Sequence, residues 1–325
     1  MCPDNPDAPP PLLVIAGPTA CGKTETGVIV AERLGTEIIS ADSVQVYKHF
    51  DIGSAKPTAR QLARVKHHLV SVAGPDENYT VGMFREQAEA IARDMWRRVK
   101  IPLVVGGTGL YIKALTEGLH CGVRADERTE LCMDAIEAAE GLAGLYKRAV
   151  EADPVWMAKI HPNDNFRIRR CLGVFLATGK TMSGIYARNP NRPEWDALVI
   201  VISPDRKVLY DRIGKRVDEM MEEGWREEVK RLKEKGYNEK TKPMRALGYK
   251  TLLREIEGAI PAAQSAETIK KETRNFAKRQ ITWFKKVENA ICIPAGAADT
   301  ASAVADAIFA RTEVAEYFAR HRVAH

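Results

Sequence analysis

The stretch IAGPTACGKTETG, residues 15–27, fits the pattern G-x-x-x-x-G-K-[ST] at Gly17, Gly22, Lys23 and Thr24. No other feature constrains the fold as tightly, because such a loop works only between a buried strand and the start of a helix. Both flanks are present. LLVIA (12–16) is a short apolar run ended by Gly-Pro and reads as a buried strand; residues 24–34 read as a helix stopped at Gly35. The glycines let backbone N–H groups approach phosphate oxygens. The helix adds its positive N-terminal end. Lys23 supplies a charge, and the Thr24 hydroxyl is a ligand for Mg²⁺. Gly17, Pro18, Thr19, Ala20, Cys21, Gly22, Lys23 and Thr24 therefore form the expected phosphate site. The alternative is a chance match in a Gly-containing loop.

Four more apolar runs read as strands: EIIS (37–40), PLVVGG (102–107), ALVIVI (197–202) and AICI (290–293). Residues 81–99 have helical spacing between them. This alternation predicts an α/β fold, a mainly parallel sheet covered by helices on both faces. From about residue 124 to 193 the strands stop. Helical periodicity takes over in MDAIEAAEGLAGLYKRAVEADP and NFRIRRCLGVFLATG. The expected organisation is a core domain, 12–123 and 194–325, and a helical insertion domain, 124–193, that returns to the sheet through the turn-rich NPNRP. The first eleven residues, MCPDNPDAPPP, read as a disordered tail without a secretory-signal pattern.

Ligands of open parallel sheets bind outside the carboxyl ends of the strands. The loops after the first three expected strands are GPTACGKT, ADSVQVY and GGTGLY. Topology thus brings Lys23, Asp42 and Thr108 to one crevice. Asp42 is either a turn-former or a carboxylate that binds metal or accepts a proton. Thr108 either caps the next helix or offers its hydroxyl to a phosphate oxygen. Arg212 and Arg216, one helical turn apart, form either a pyrophosphate clamp or an exposed pair. His67 and His68 show no metal-ligand spacing and read as structural or surface residues.

Net charge is +6, which permits a nucleic-acid partner without requiring one. The distribution is more telling. Residues 265–290 hold seven Lys or Arg against three Glu, and a second cluster contains Arg167, Arg169 and Arg170. Taken alone, either cluster is a solvated helix face. Six scattered cysteines without a C-x-x-C pair argue against a zinc site or a disulfide framework and fit a reducing cytoplasm. No apolar run nears the ~20 residues that cross a bilayer, so no membrane is expected.

Taken in order, GPTACGKT, IISADSVQVYKHFDIGSAKP, HHLVSV, VGGTGLYIKAL, IHPNDNFRIRRCL, GYK and FAKRQITWF resemble the tRNA dimethylallyltransferase family, the bacterial tRNA isopentenyltransferases, from about Leu12 to Lys286. The resemblance implies a P-loop NTPase-like fold that holds a diphosphate instead of ATP. It implies transfer of a dimethylallyl group from its diphosphate to N6 of adenine 37, beside the anticodon of tRNA. Residues 17–24 with Arg212 and Arg216 then hold the leaving diphosphate, with Mg²⁺ at Thr24. Asp42 matches the family's proton acceptor, and Thr108 a residue near both diphosphate and amine. By the same resemblance the tRNA anticodon stem-loop meets Asp42, Ser43, Val44 and Gln45; Phe166, Arg167, Ile168, Arg169 and Arg170; Arg245, Gly248, Tyr249 and Lys250; and Lys278, Arg279, Gln280 and Trp283, as well as Thr108. Phe166, Tyr249 and Trp283 are candidates for stacking on bases, with core packing as the alternative. A monomer is expected.

The match has departures. Cys21 stands where the family's loop usually has Ser, and oxidation of a thiol at a helix N-terminus is expected to block the loop. HCGVRADERT, residues 120–129, matches poorly, so an RNA-contacting arginine there has only Arg128 as a candidate. No Cys/His finger follows the core. Two other readings share the loop: a small-molecule or nucleoside kinase, with Asp42 as base for a hydroxyl, and a non-catalytic RNA-binding protein. The basic helix and DSVQVY disfavour the kinase.

Overall fold

The computed structural model describes residues 9–118, 126–188 and 194–321. Residues 1–8 of the expected tail, most of the poorly matching segment after Leu119, and the NPNRP turn lie outside the described residues. So do Cys2 and Cys121. Pro11, placed in the tail by sequence, already belongs to the first strand.

The chain forms two compact units, Met1–Thr116 with Pro193–His325, and Glu117–Arg192. The first unit begins with β1 (Pro11–Ala16), α1 (Lys23–Arg33), β2 (Ile38–Ala41), α2 (Ala59–Arg64), β3 (His67–His68), α3 (Val81–Arg97), β4 (Leu103–Gly106) and α4 (Gly109–Thr116). The second unit holds α5 (Glu127–Ala152), α6 (Pro154–Met157), α7 (Asn165–Thr178) and α8 (Met182–Arg188). The first unit resumes with β5 (Asp196–Pro204), α9 (Arg206–Glu222), α10 (Trp225–Glu234), α11 (Tyr249–Ile256), α12 (Ala262–Phe284), β6 (Ile291–Ala295), α13 (Ala301–Phe309) and α14 (Thr312–Arg320).

All five expected strands are present in an α/β fold, in one parallel sheet of order β3-β2-β4-β1-β5-β6. The edge strand β3, made of His67 and His68, is the sixth. Two residues are too few to show a strand pattern in sequence. Along β1 the apolar side chains alternate between the sheet's faces. Leu12, Val14 and Ala16 join one core cluster, with Val104 and Val201; Leu13 and Ile15 join another, with Leu103 and Ile200. Burial on both faces explains why the strands read as unbroken apolar runs. The amino ends of β1 and β5 are tied from α14: the Tyr317 hydroxyl accepts the Leu12 N–H (2.8 Å) and donates to the Asp196 carbonyl (2.7 Å).

The second unit has its own core, in which Met133, Leu145, Met157, Ile168, Cys171 and Leu172 are buried. The helical backbone of α5 is interrupted at Gly141, whose φ of 67° lies in the left-handed region. Asp126, Asp153 and Asp164 cap the starts of α5, α6 and α7 through their side chains.

A carboxylate secures the edge of the sheet in the first unit. Glu37, just before β2, is buried and meets Arg98 (2.6 Å), Lys100 (2.9 Å) and His68 (2.7 Å). The Arg98 guanidinium, with Lys100 and His68, holds the Glu37 carboxyl far below the usual carboxylate range, against burial, which pushes it up. A depressed folded value means stability that is fully present above about pH 4.5 and is lost as pH falls through the folded value. Glu37→Gln is therefore expected to cost about 1–3 kcal/mol near neutrality. In urea unfolding the gap between wild type and variant should narrow from pH 7 to about pH 3. A gap independent of pH would show that the carboxylate's charge does not contribute.

Candidate active site

Gly106 of β4 is paired in register with Ala16 of β1 and Ala41 of β2, so the three strands end level. Their following loops line one cavity of about 770 Å³, and Lys23, Asp42 and Thr108 all open on it. This is the convergence that strand order predicts.

The glycine-rich loop leads into α1 through Gly22, whose φ of 94° is a left-handed conformation suited to glycine. No side chain caps the first turn of α1, which leaves its N–H groups for an anion. The Lys23 ammonium rests 3.2 Å from the Pro18 carbonyl. The acid in the first turn, Glu25, is drawn away by Gln61 and Arg64. Cys21 is 2 % exposed and packs in the core beneath Gly17. A thiol so placed is shielded from oxidants, which corrects the expectation of an oxidisable Cys21.

Asp42 is fixed by its own turn. Its Oδ1 accepts the N–H of Val44 (2.9 Å) and of Gln45 (3.3 Å). Its second oxygen has no partner among the described residues. Thr108 bridges the loops after β2 and β4: its N–H donates to Ala41 (3.1 Å), and its hydroxyl oxygen accepts the Ser43 N–H (3.0 Å). The Gln45 amide donates to the carbonyls of Ser54 (3.2 Å) and Ala55 (2.9 Å), so it braces the DIGSAKP loop.

Arg216, on α9, lines the cavity and has no ion-pair or hydrogen-bond partner among the described residues. Burial lowers its pKa, and the charges of Asp42 and its other acidic neighbours oppose that. A desolvated, unpartnered guanidinium calls for an anion. Arg212 does not share this position. It donates to the Gly296 carbonyl (2.8 Å), away from the cavity lining, so only one of the two expected clamp arginines reaches the site.

The expected RNA residues divide in the same way. Arg245, Lys250 and Arg279 open on the cavity, and Lys278 is exposed. Trp283 is 37 % exposed and packs over Gly109. Tyr249 is fully buried in the cavity wall, its hydroxyl 2.6 Å from Glu228. Gly248, at φ 80°, leaves room for the Trp225 ring. In the second unit Phe166 is 81 % exposed and Arg167 pairs with Asp164, but Ile168 is core. Arg169 is held by Glu130, Asp134 and Glu137 at 2.6–2.8 Å, which makes it a brace between α5 and α7. Arg170 lies on the same helix, partly buried, and Arg128 is exposed on the first turn of α5.

Sequence reasoning missed two sets of residues. Glu228 is buried and accepts the N–H groups of Asp51 (3.0 Å), Ile52 (2.8 Å) and Gly53 (3.3 Å), holding the DIGSAKP loop against the core. Nothing in WREEVK distinguishes it from a surface acid. Thr268, Glu272, Asn275 and Phe276 line the cavity from one face of α12, together with Arg279 and Gln280. Their helical spacing, legible in sequence, was overshadowed by the basic residues between them.

Comparison with known proteins agrees with this architecture. The family model described as IPP transferase matches residues 45–287, and that described as isopentenyl transferase matches 10–72. The tRNA dimethylallyltransferase of Geobacter sulfurreducens is 44 % identical over 278 residues, covering 85 % of this chain and 89 % of the relative. That of Pelotomaculum thermopropionicum is 39 % identical over 276 residues, covering 85 % and 88 %. Among solved structures, the tRNA isopentenylpyrophosphate transferase of Bacillus halodurans superposes with a TM-score of 0.71 at 34 % identity, over 96 % of this chain and 99 % of that one. A eukaryotic dimethylallyltransferase acting on tRNA gives a TM-score of 0.76 at 28 % identity, over 89 % and 74 %. A phosphate loop on a parallel sheet, an acid and a threonine beside it, and relatives matched over most of their length agree: the chain belongs to the IPP transferase family.

Proposed function

We propose that the chain transfers a dimethylallyl group from dimethylallyl diphosphate to N6 of adenine 37, next to the anticodon of tRNA, and releases diphosphate. The observation that carries this reading is the cavity itself. Among the described residues, it has an unpartnered arginine and an uncapped helix start beside a carboxylate with a free oxygen. The relatives' names, tRNA dimethylallyltransferase and tRNA isopentenylpyrophosphate transferase, supply the class of donor and acceptor.

The chemistry follows from these groups. As the allylic C–O bond breaks, its electron pair goes to the diphosphate. The α1 N–H groups, Lys23 and Arg216 receive that growing charge. The lone pair of N6 forms the new C–N bond, and Asp42 accepts the N6 proton. Thr108, tied to the Asp42 loop through Ala41 and Ser43, lines the same cavity beside the amine. The adenine leaves its stack to enter, as base-modifying chemistry requires, at modest cost in a single-stranded loop.

The residues also fit a Mg²⁺ ion brought with the diphosphate. Thr24 lines the cavity beside Lys23. Its hydroxyl would be one ligand of an ion held otherwise by phosphate oxygens and water. When bound, it would offset diphosphate charge. The candidate contacts for the anticodon stem-loop are Lys250, Lys278, Arg279, Trp283 and, on α7, Phe166 and Arg167. We also propose that the enzyme acts as a monomer. We place it in the cytoplasm, where its tRNA substrate is. No helix among the described residues is long and apolar enough to cross a membrane.

The direct test is mass spectrometry of tRNA nucleosides after incubation with dimethylallyl diphosphate and Mg²⁺. Modified adenosine is expected, and its absence from a folded enzyme would reject the reading. Asp42→Asn should keep tRNA affinity and lose about 10²-fold in transfer rate; unchanged transfer would remove Asp42 from the mechanism. Arg216→Met should weaken dimethylallyl diphosphate binding by about 10- to 100-fold, whereas Arg212→Met, whose partner is a remote carbonyl, should change it by less than about threefold. Equal losses in both variants would contradict the geometry.

A further inference from the structure

Gln280 sits among the basic and aromatic residues of α12 that the family resemblance assigns to RNA. Its surroundings are of another kind. It is 7 % exposed, and both ends of its amide are in use. Oε1 accepts the N–H of Thr19, at the crest of the phosphate loop, at 2.8 Å. Nε2 donates to the carbonyl of Gly107, one residue before Thr108, also at 2.8 Å. The orientation is forced: a flipped amide would set donor against donor at Thr19 and acceptor against acceptor at Gly107.

Gly107 confirms how closely these parts meet. A β-carbon there would fall 2.7 Å from Gln280 Nε2, 3.3 Å from the Gly17 carbonyl oxygen and 3.4 Å from Lys23 Cε. Three residues along, the Trp283 ring leaves no room for a β-carbon on Gly109. One face of α12 therefore fastens both the loop that follows β1 and the loop that follows β4.

We infer that Gln280 is a positioning residue for the transfer reaction, fixing the diphosphate loop against the Thr108 loop, and not a tRNA contact. The inference rests on the function proposed above. A buried amide that makes two bonds sets the spacing between the groups that hold the leaving diphosphate and those beside the attacking amine. Misplacing such groups by an ångström costs about 10²-fold. Gln280→Met keeps the length and loses both bonds. Gln280→Glu keeps an acceptor for Thr19 and loses the donor to Gly107.

The test measures steady-state transfer for both variants and for Gly107→Ala, together with calorimetric binding of inorganic pyrophosphate. Gln280→Met and Gly107→Ala are expected to lower kcat/KM for dimethylallyl diphosphate by about 10- to 100-fold, with the KM for tRNA within about twofold of wild type. Gln280→Glu should fall between wild type and Gln280→Met, and pyrophosphate binding should weaken in the same order. A tRNA KM raised tenfold with pyrophosphate binding unchanged would make Gln280 an RNA contact and overturn the inference, as would wild-type behaviour in all three variants. Should Gln280→Met fail to fold, the order of wild type, Gln280→Glu and Gly107→Ala decides it. Failure of the wild type to transfer at all would instead reject the proposed function, while its pyrophosphate binding still reports on the loop.

Discussion

The level ending of three neighbouring strands is the constraint on which the site depends. Ala16, Gly106 and Ala41 stand level, as register partners across the parallel strands β1, β4 and β2. The contact is tight: a β-carbon on Gly106 would lie 2.2 Å from the Ala41 carbonyl oxygen. Loops that leave from one line have no freedom to drift apart by whole residues. The phosphate loop, the Asp42 turn and the Thr108 turn therefore share one mouth. The buried apolar faces of β1 hold that line, since a slip of one residue would exchange the two core clusters.

Electrostatics then give the mouth its chemistry. The site concentrates positive character where an anion would rest: the open first turn of α1, Lys23 and the unpartnered Arg216. The acid in the first turn of α1, Glu25, is engaged by Arg64 and Gln61. Asp42 remains, with one oxygen held by two backbone N–H groups. Hydrogen bonds through Gln45, the DIGSAKP loop and Glu228 connect the Asp42 turn to the core, so the carboxylate stands on a braced loop.

The same frame explains which residues are placed differently from what their sequence context suggests. Tyr249 and Ile168 lie in segments rich in basic residues, yet both are core. Arg169 is surrounded by three acids that lie 32 to 39 residues away in sequence. Pairings of that range are set by helix packing, and no local pattern announces them. Arg212 and Arg216 look equivalent at a spacing of one turn. A small difference in azimuth sends one to the Gly296 carbonyl and the other into the cavity.

Sequence by itself determined the α/β class, five of the six strands, the glycine-rich loop and the meeting of Lys23, Asp42 and Thr108. These follow from local chemistry: apolar period, glycine and proline punctuation, and the rule that parallel strands present their loops at one end. Tertiary structure decided the rest, because burial and long-range pairing are properties of packed elements. It added the edge strand at His67 and His68, placed Cys21 out of reach of solvent, and chose Arg216 over Arg212. It also turned Glu228 from an apparent surface acid into a buried support and set the Gln280 amide between the Thr19 and Gly107 backbones. In each case the deciding partner lies far along the chain, where only the folded backbone brings it close.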